Sequence, residues 1–154
     1  MASRKTSDLS PEMRVLHDKF MDRCRRDVNL LKEGITVLVT CTYRSNEEQN
    51  RLYAQGRTTK GRKVTNVKGG GSKHNHTTPQ GAPAALAFDV VPLRHGKCIW
   101  GTDGNGIDDD PSDDDTDDLE AWERVGAHGE AVGLVWGGSW TRFKDRPHFQ
   151  HPEA

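Results

Sequence analysis

Three places in the chain put a metal-competent side chain where neither a solvated surface nor an apolar core asks for one. Ser72-Lys73-His74-Asn75-His76 is a histidine-bearing turn that follows the glycine run Gly69-Gly70-Gly71. Asp89 interrupts the otherwise apolar run Ala87–Val91, where an unpaired carboxylate is costly and needs a cation or a hydrogen-bond cage. Asp145-Arg146-Pro147-His148-Phe149 sets an acid and a histidine three apart around a proline. Two imidazoles, one carboxylate and a vacant fourth position make the ligand set of a catalytic zinc site. A closed structural site would take a further protein ligand, commonly a thiol.

The elements that must carry these residues follow from patterning. Ser10-Pro11-Glu12 is a helix start, with an N-cap hydroxyl and a proline in the first turn. Met13, Leu16, Phe20, Cys24, Val28 and Leu31 then recur at helical spacing, which predicts one long helix ending at Gly34. Ile35–Tyr43 is β-branched and short, hence a strand. Ser45 and Glu48 form a capping box for a second helix from about Asn46 to Gln55. Arg57–Lys73 holds six bases and no acids and reads as a flexible basic loop. Strands are predicted at Ala87–Val91, Lys97–Trp100, Leu134–Trp136 and Pro147–Gln150, with a third helix over Leu119–Val132. Helices and strands are interspersed and the late strands are close enough to be antiparallel, so the fold class is α+β.

The 154 residues form one domain, 1–154, and their apolar runs are only strand-length, so no transmembrane segment is drawn and a soluble cytoplasmic chain is expected. Cys24, Cys41 and Cys98 are odd in number and widely spaced, which argues against a disulfide framework and reads as reduced, mostly buried thiols. The formal charge of −1 hides an asymmetry: residues 98–123 carry eleven acids and no Lys or Arg. The basic remainder suits a polyanionic partner, either nucleic acid or bacterial cell wall. Against nucleic acid, the basic loop has no interleaved aromatics and the chain has no helix-turn-helix or zinc-finger spacing. An acidic loop insertion at about 102–118 holds nine aspartates. Asp103, Asn105, Asp109 and Asp110 are candidate calcium ligands there, although the match to a twelve-position calcium loop is poor and a solvated acidic loop is the plainer reading.

Ser72-x-His74, Ala87-x-Asp89, Trp136-Gly137-Gly138-x-Trp140 and Asp145-x-x-His148-Phe149, in that order, resemble the zinc peptidases of the D-alanyl-D-alanine carboxypeptidase superfamily. Tyr43-Arg44-Ser45, Glu48-Gln49 and Leu52–Thr58 match as well, so the resemblance covers roughly Thr36–Gln150. It is strongest to the phage endolysins that cut the L-alanyl–D-glutamate bond of peptidoglycan. It implies zinc held by His74, Asp89 and His148, Asp145 as general base and acid, and Arg44 on the oxyanion or a substrate carboxylate. Ser72 and Trp140 are expected to meet the substrate. His74 and Asp89 are fifteen apart where many relatives have seven, with the excursion Thr77–Pro83 between them; His74 is preferred to His76 because it keeps the Ser-x-His register. The expectation is therefore a monomeric lysin, held in the host cytoplasm until a membrane lesion releases it to the wall. A D-alanyl-D-alanine carboxypeptidase is the alternative enzyme, and a basic domain that only binds peptidoglycan or nucleic acid the alternative without catalysis.

Overall fold

The structure is a computed structural model that describes residues 2–100 and 119–154; the candidate calcium residues Asp103, Asn105, Asp109 and Asp110 lie outside the described residues. Helix α1 (Pro11–Arg26) starts as expected, with the Ser10 hydroxyl accepting the Met13 N–H at 3.2 Å. The single long helix predicted as far as Gly34 is instead two. Asp27 takes up extended backbone, and its carboxylate accepts the N–H groups of Asn29 and Leu30 to begin helix α2 (Val28–Lys32). The break re-phases the apolar face. Leu30 is buried, while Val28 and Leu31, read from sequence as core, are 58% and 59% exposed. The cause is tertiary: Arg124 and His128 each approach Asp27 Oδ2 at 2.7 Å. Burial alone would raise this carboxyl's pKa, but His128 and Arg124 outweigh it and hold it down to about 2.

Strands β1 (Ile35–Cys41), β2 (Ala87–Arg94), β3 (Lys97–Cys98), β4 (Val135–Trp136) and β5 (His148–Gln150) form one antiparallel sheet. Its order is β1-β2-β5-β4, with β3 paired to the end of β2. Register then sorts the side chains. Phe88, Phe149 and Trp136 lie in one cross-strand row, with Phe149 centroids 5.6 Å from Phe88 and 6.4 Å from Trp136. This row meets Phe20 of α1 and, from helix α4 (Leu119–Ala131), Trp122 and Val125 in the hydrophobic core. One residue along, the side chains point the other way. There Asp89 stands opposite Cys41 of β1 on one side and His148 of β5 on the other. A register shift between Val39 and Cys41 bends β1 just before that row, as bulges beside functional sites commonly do.

Helix α3 (Asn46–Ala54) is capped by Ser45, whose hydroxyl accepts the Glu48 N–H at 3.1 Å. The basic stretch after it has no helix or strand of its own up to Ser72, yet it is fastened down rather than loose. Gln49 Nε2 donates to the Val67 carbonyl at 2.8 Å, and Arg57 stacks 3.9 Å over the Tyr53 ring while donating to the Thr65 carbonyl at 3.0 Å. The expected flexible loop is therefore a wall held against α3 by side-chain hydrogen bonds, which hydropathy patterning cannot register.

Gly126 and Gly129 of α4 are explained by close approach: a Cβ on the first would strike the Trp136 indole and on the second the Phe149 ring. Gly129→Ala gains roughly 1 kcal/mol of helix propensity but overpacks the core at a cost of about 1–3 kcal/mol. The expected net effect is a lowered urea midpoint; a midpoint equal to or above the parent's would show that Phe149 yields freely.

Candidate metal centre

The cross-strand row places Asp89 at the centre of a donor cluster. Its Oδ1 lies 3.2 Å from His74 Nε2 and 3.3 Å from His148 Nδ1, and the carboxylate is 19% exposed. Each of these two separations matches one edge, about 3.3 Å, of a tetrahedron whose metal–nitrogen and metal–oxygen bonds are about 2.0–2.1 Å long. Two imidazoles and a carboxylate are also chemically suited to a borderline-soft divalent ion such as zinc, so the residues present fit the group that the sequence implies.

His74 is delivered by a one-turn 3₁₀ segment, Lys73–Asn75, that hydrogen bonds build from both sides. The Ser72 hydroxyl accepts the His74 N–H at 3.2 Å, and Asn75 Oδ1 accepts those of Gly70 and Ser72. Asn75 Nδ2 in turn donates to the Arg44 carbonyl at 2.7 Å, and the Arg44 N–H to the His74 carbonyl at 2.9 Å. On the imidazole, Nδ1 sits 2.8 Å from the Thr42 carbonyl, which can only accept; Nδ1 therefore carries a hydrogen, and Nε2 is the nitrogen that faces Asp89, donating to the carboxylate when protonated and free to ligate a metal once that proton is displaced. His76 is exposed and turned away, its Nδ1 2.7 Å from the Ala84 carbonyl. His148 comes from β5 with Nε2 2.9 Å from Gln150 Oε1.

Electrostatics bind the cluster together. Burial disfavours a charged imidazole at His74, but the facing Asp89 carboxylate prevails and pushes it up to about 10. Burial likewise opposes ionisation of Asp89, and is overcome by His74 first and by His148, which hold the carboxyl well below the usual range. The arrangement thus demands positive charge between acid and imidazole, a place for which protons and a divalent cation compete.

Around this centre lies a cleft of about 540 Å³. Arg44, Ser72, Trp140 and Asp145 line it together with His74, Asp89 and His148, so every site residue expected from the sequence outside the acidic segment meets here. Arg44, 16% exposed, reaches to 3.9 Å from Asp89 Oδ2 and donates to Gln49 Oε1 at 2.9 Å. Asp145 stands at the open rim, and its own carbonyl accepts the His148 N–H at 3.1 Å to close the Asp-x-x-His turn. Partial desolvation, and then the Asp89 charge, raise its pKa above the ordinary carboxylate value. Trp140 packs 5.4 Å from the His148 ring, centroid to centroid. Trp136 belongs to the core instead and donates from Nε1 to the Arg146 carbonyl at 2.8 Å, tying down the same turn.

Three participants have no role assigned by the sequence. Cys41, one of the three cysteines expected as reduced, mostly buried thiols, is buried and has a donor atom within 4.8 Å of those of His74 and Asp89. Its Sγ approaches His74 from the Nδ1 side, at 3.6 Å, and touches Arg44 Nη2 at 3.5 Å. It therefore sits beside the imidazole, within 4.8 Å of an Asp89 oxygen as well. Gln49 is 1% exposed and links Arg44 to the wall formed by the basic stretch. Gln150 holds the far nitrogen of His148. The only available signal for it was the two-residue spacing that puts Gln150 and His148 on one face of a strand.

With the site in view, relatives can be compared. The Bacillus subtilis peptidoglycan L-alanyl-D-glutamate endopeptidase CwlK is 38% identical over 119 residues, which is 77% of this chain and 62% of CwlK. The chain thus spans less than two thirds of that relative's length. Among solved structures, the Serratia marcescens L-Ala D-Glu endopeptidase ChiX superposes with a TM-score of 0.55 at 16% identity, over 98% of this chain and 88% of ChiX. A mutant of the vancomycin-resistance D,D-pentapeptidase VanY from the VanB-type cassette, in complex with Zn(II), gives 0.52 at 14% identity over 94% and 72%. Both likenesses concern the fold. The match that decides membership covers residues 68–151, from the turn that delivers His74 through the strand that carries His148, and by it the chain belongs to the D-alanyl-D-alanine carboxypeptidase family of peptidases, M15.

Proposed function

We propose that the chain is a zinc-dependent peptidoglycan peptidase that hydrolyses the L-alanyl–D-glutamate bond of the stem peptide, and that it acts as a phage endolysin. The observation that carries the enzymatic part is the convergence of His74 Nε2 and His148 Nδ1 on one oxygen of Asp89, at the floor of a cleft that Arg44 and Asp145 also face. In this reading His74, Asp89 and His148 hold the ion, and Cys41, whose sulfur approaches the Nδ1 edge of His74, stands beside them. Identity of 38% to CwlK supports the choice of bond.

When bound, zinc supplies Lewis acidity that polarises a peptide carbonyl and makes water a stronger acid. The chain's own residues do the rest. Asp145 takes the proton of the attacking water and returns it to the leaving amine, and a carboxyl with a raised pKa is the better suited to give it back. Arg44, held by Gln49, offers its planar donors to the developing oxyanion or to a substrate carboxylate. Trp140 walls the cleft beside His148 and limits where the peptide can lie. Ser72 serves through the turn it caps as well as from the cleft wall. As a lysin the protein would wait in the host cytoplasm and reach the wall after membrane lesion.

The family's own description, D-alanyl-D-alanine carboxypeptidase, supports a second reading in which the terminal D-alanine is removed. Mass spectrometry of digested muropeptides separates the two: the proposal expects a new free amine on D-glutamate, and release of D-alanine alone would replace it by the second reading. Asp145→Asn is expected to cut turnover by about 10²–10⁴-fold with zinc retained. His148→Ala and Asp89→Ala are expected to lose the metal itself. Near-parent lysis by Asp145→Asn, measured as turbidity loss of permeabilised cells, would remove Asp145 from the base role.

A further inference from the structure

We infer that Gln150 is a positioning residue that fixes the tautomer of His148 and so presents Nδ1, rather than Nε2, as the ligating nitrogen. The inference rests on the proposed ligand set and goes one step behind it. An imidazole can ligate through either nitrogen, and which one is free is decided by the hydrogen bond the other makes. For His74 that choice is made by backbone, since the Thr42 carbonyl receives Nδ1–H at 2.8 Å. For His148 the ring is reversed: Nδ1 faces Asp89 Oδ1 at 3.3 Å and Nε2 faces Gln150 Oε1 at 2.9 Å. If Nδ1 is to give a lone pair, Nε2 must carry the hydrogen and its partner must accept, which the amide oxygen of Gln150 does.

The fold makes this contact rigid. His148 and Gln150 are two apart on β5 and therefore on one face of the sheet, and Gln150 is paired on both sides, to Ala87 of β2 and to Val135 of β4. Gln150 also lines the cleft, so without its side chain Nε2 would find water there, which donates as readily as it accepts. The tautomer would then be unselected and the ring free to turn. Unlike the Thr42 carbonyl at His74, this acceptor belongs to a side chain, and substitution can remove it without touching the backbone.

The test uses the full chain and zinc alone. Gln150→Met keeps length and volume but removes the acceptor, and Gln150→Glu restores an acceptor at the same place. Zinc affinity, read by competition with a chromophoric chelator, is expected to fall about 10–100-fold in Gln150→Met and to return in Gln150→Glu, the range seen when such outer contacts are removed. Nitrogen-15 spectra of the zinc-loaded protein are expected to show zinc on Nδ1 and the His148 hydrogen on Nε2 in the parent, and a mixture of Nδ1-bound and Nε2-bound rings in Gln150→Met. Parent-like affinity in Gln150→Met together with loss in His148→Ala would overturn the role of Gln150 and leave the ligand set standing. Parent-like affinity in both would overturn the ligand set and the inference with it.

Discussion

A carboxylate set into the middle strand of a sheet constrains everything around it. Asp89 sits between Phe88 and Val90, both fully buried, and its neighbours on the adjoining strands stand directly opposite. Leaving such a charge unpaired costs several kcal/mol, so the surroundings must supply positive charge or donors. They supply two imidazoles on one oxygen and a guanidinium near the other. The same feature that would destabilise an ordinary sheet thereby becomes a place where a divalent cation is favoured, and the cation's charge is what would complete the compensation.

The alternation of side chains across the sheet lets one thin layer serve two purposes. The row Phe88, Phe149 and Trp136 fastens the strands to α1 and α4, and the adjacent row Cys41, Asp89 and His148 faces the cleft. Because Phe149 and His148 are consecutive, any shift of the aromatic row moves the candidate ligand with it. The glycines of α4 belong to this logic: they let the aromatic rings approach the helix closely enough to set the strand's position. Residues from outside the sheet are brought in by turns that hydrogen-bond to one another, His74 through Ser72, Asn75 and Arg44, and Asp145 through its carbonyl to His148.

Much of this was legible in the sequence, and for identifiable reasons. An acid inside an apolar run, a histidine after a glycine run, and an acid and histidine flanking a proline are each locally anomalous, and the structure brings all three together. The helix caps at Ser10 and Ser45 and the starts of β1, β2 and α4 are likewise local signals. What escaped depends on distant partners. Asp27 breaks the first helix because Arg124 and His128, about a hundred residues away, draw on its carboxylate. Residues 57–72 looked loose because the hydrogen bonds that fasten them come from Gln49 and Arg57 side chains, which carry no periodicity. Cys41 reads from sequence only as a reduced, buried thiol, because the register shift that sets it opposite Asp89 and beside His74 leaves no mark on composition.

The account stands on the identity of the atoms around the ion, and two sets of donors compete for it: His74, Asp89 and His148, or a set that includes Cys41. X-ray absorption at the zinc edge of the purified protein distinguishes them directly, because zinc–sulfur bonds are near 2.3 Å and zinc–nitrogen and zinc–oxygen bonds near 2.0–2.1 Å. Zinc held by His74, Asp89 and His148 has nearest neighbours that are all nitrogen or oxygen, with the outer scattering of two imidazoles. A sulfur neighbour at about 2.3 Å, or a signal with a single imidazole, would contradict it.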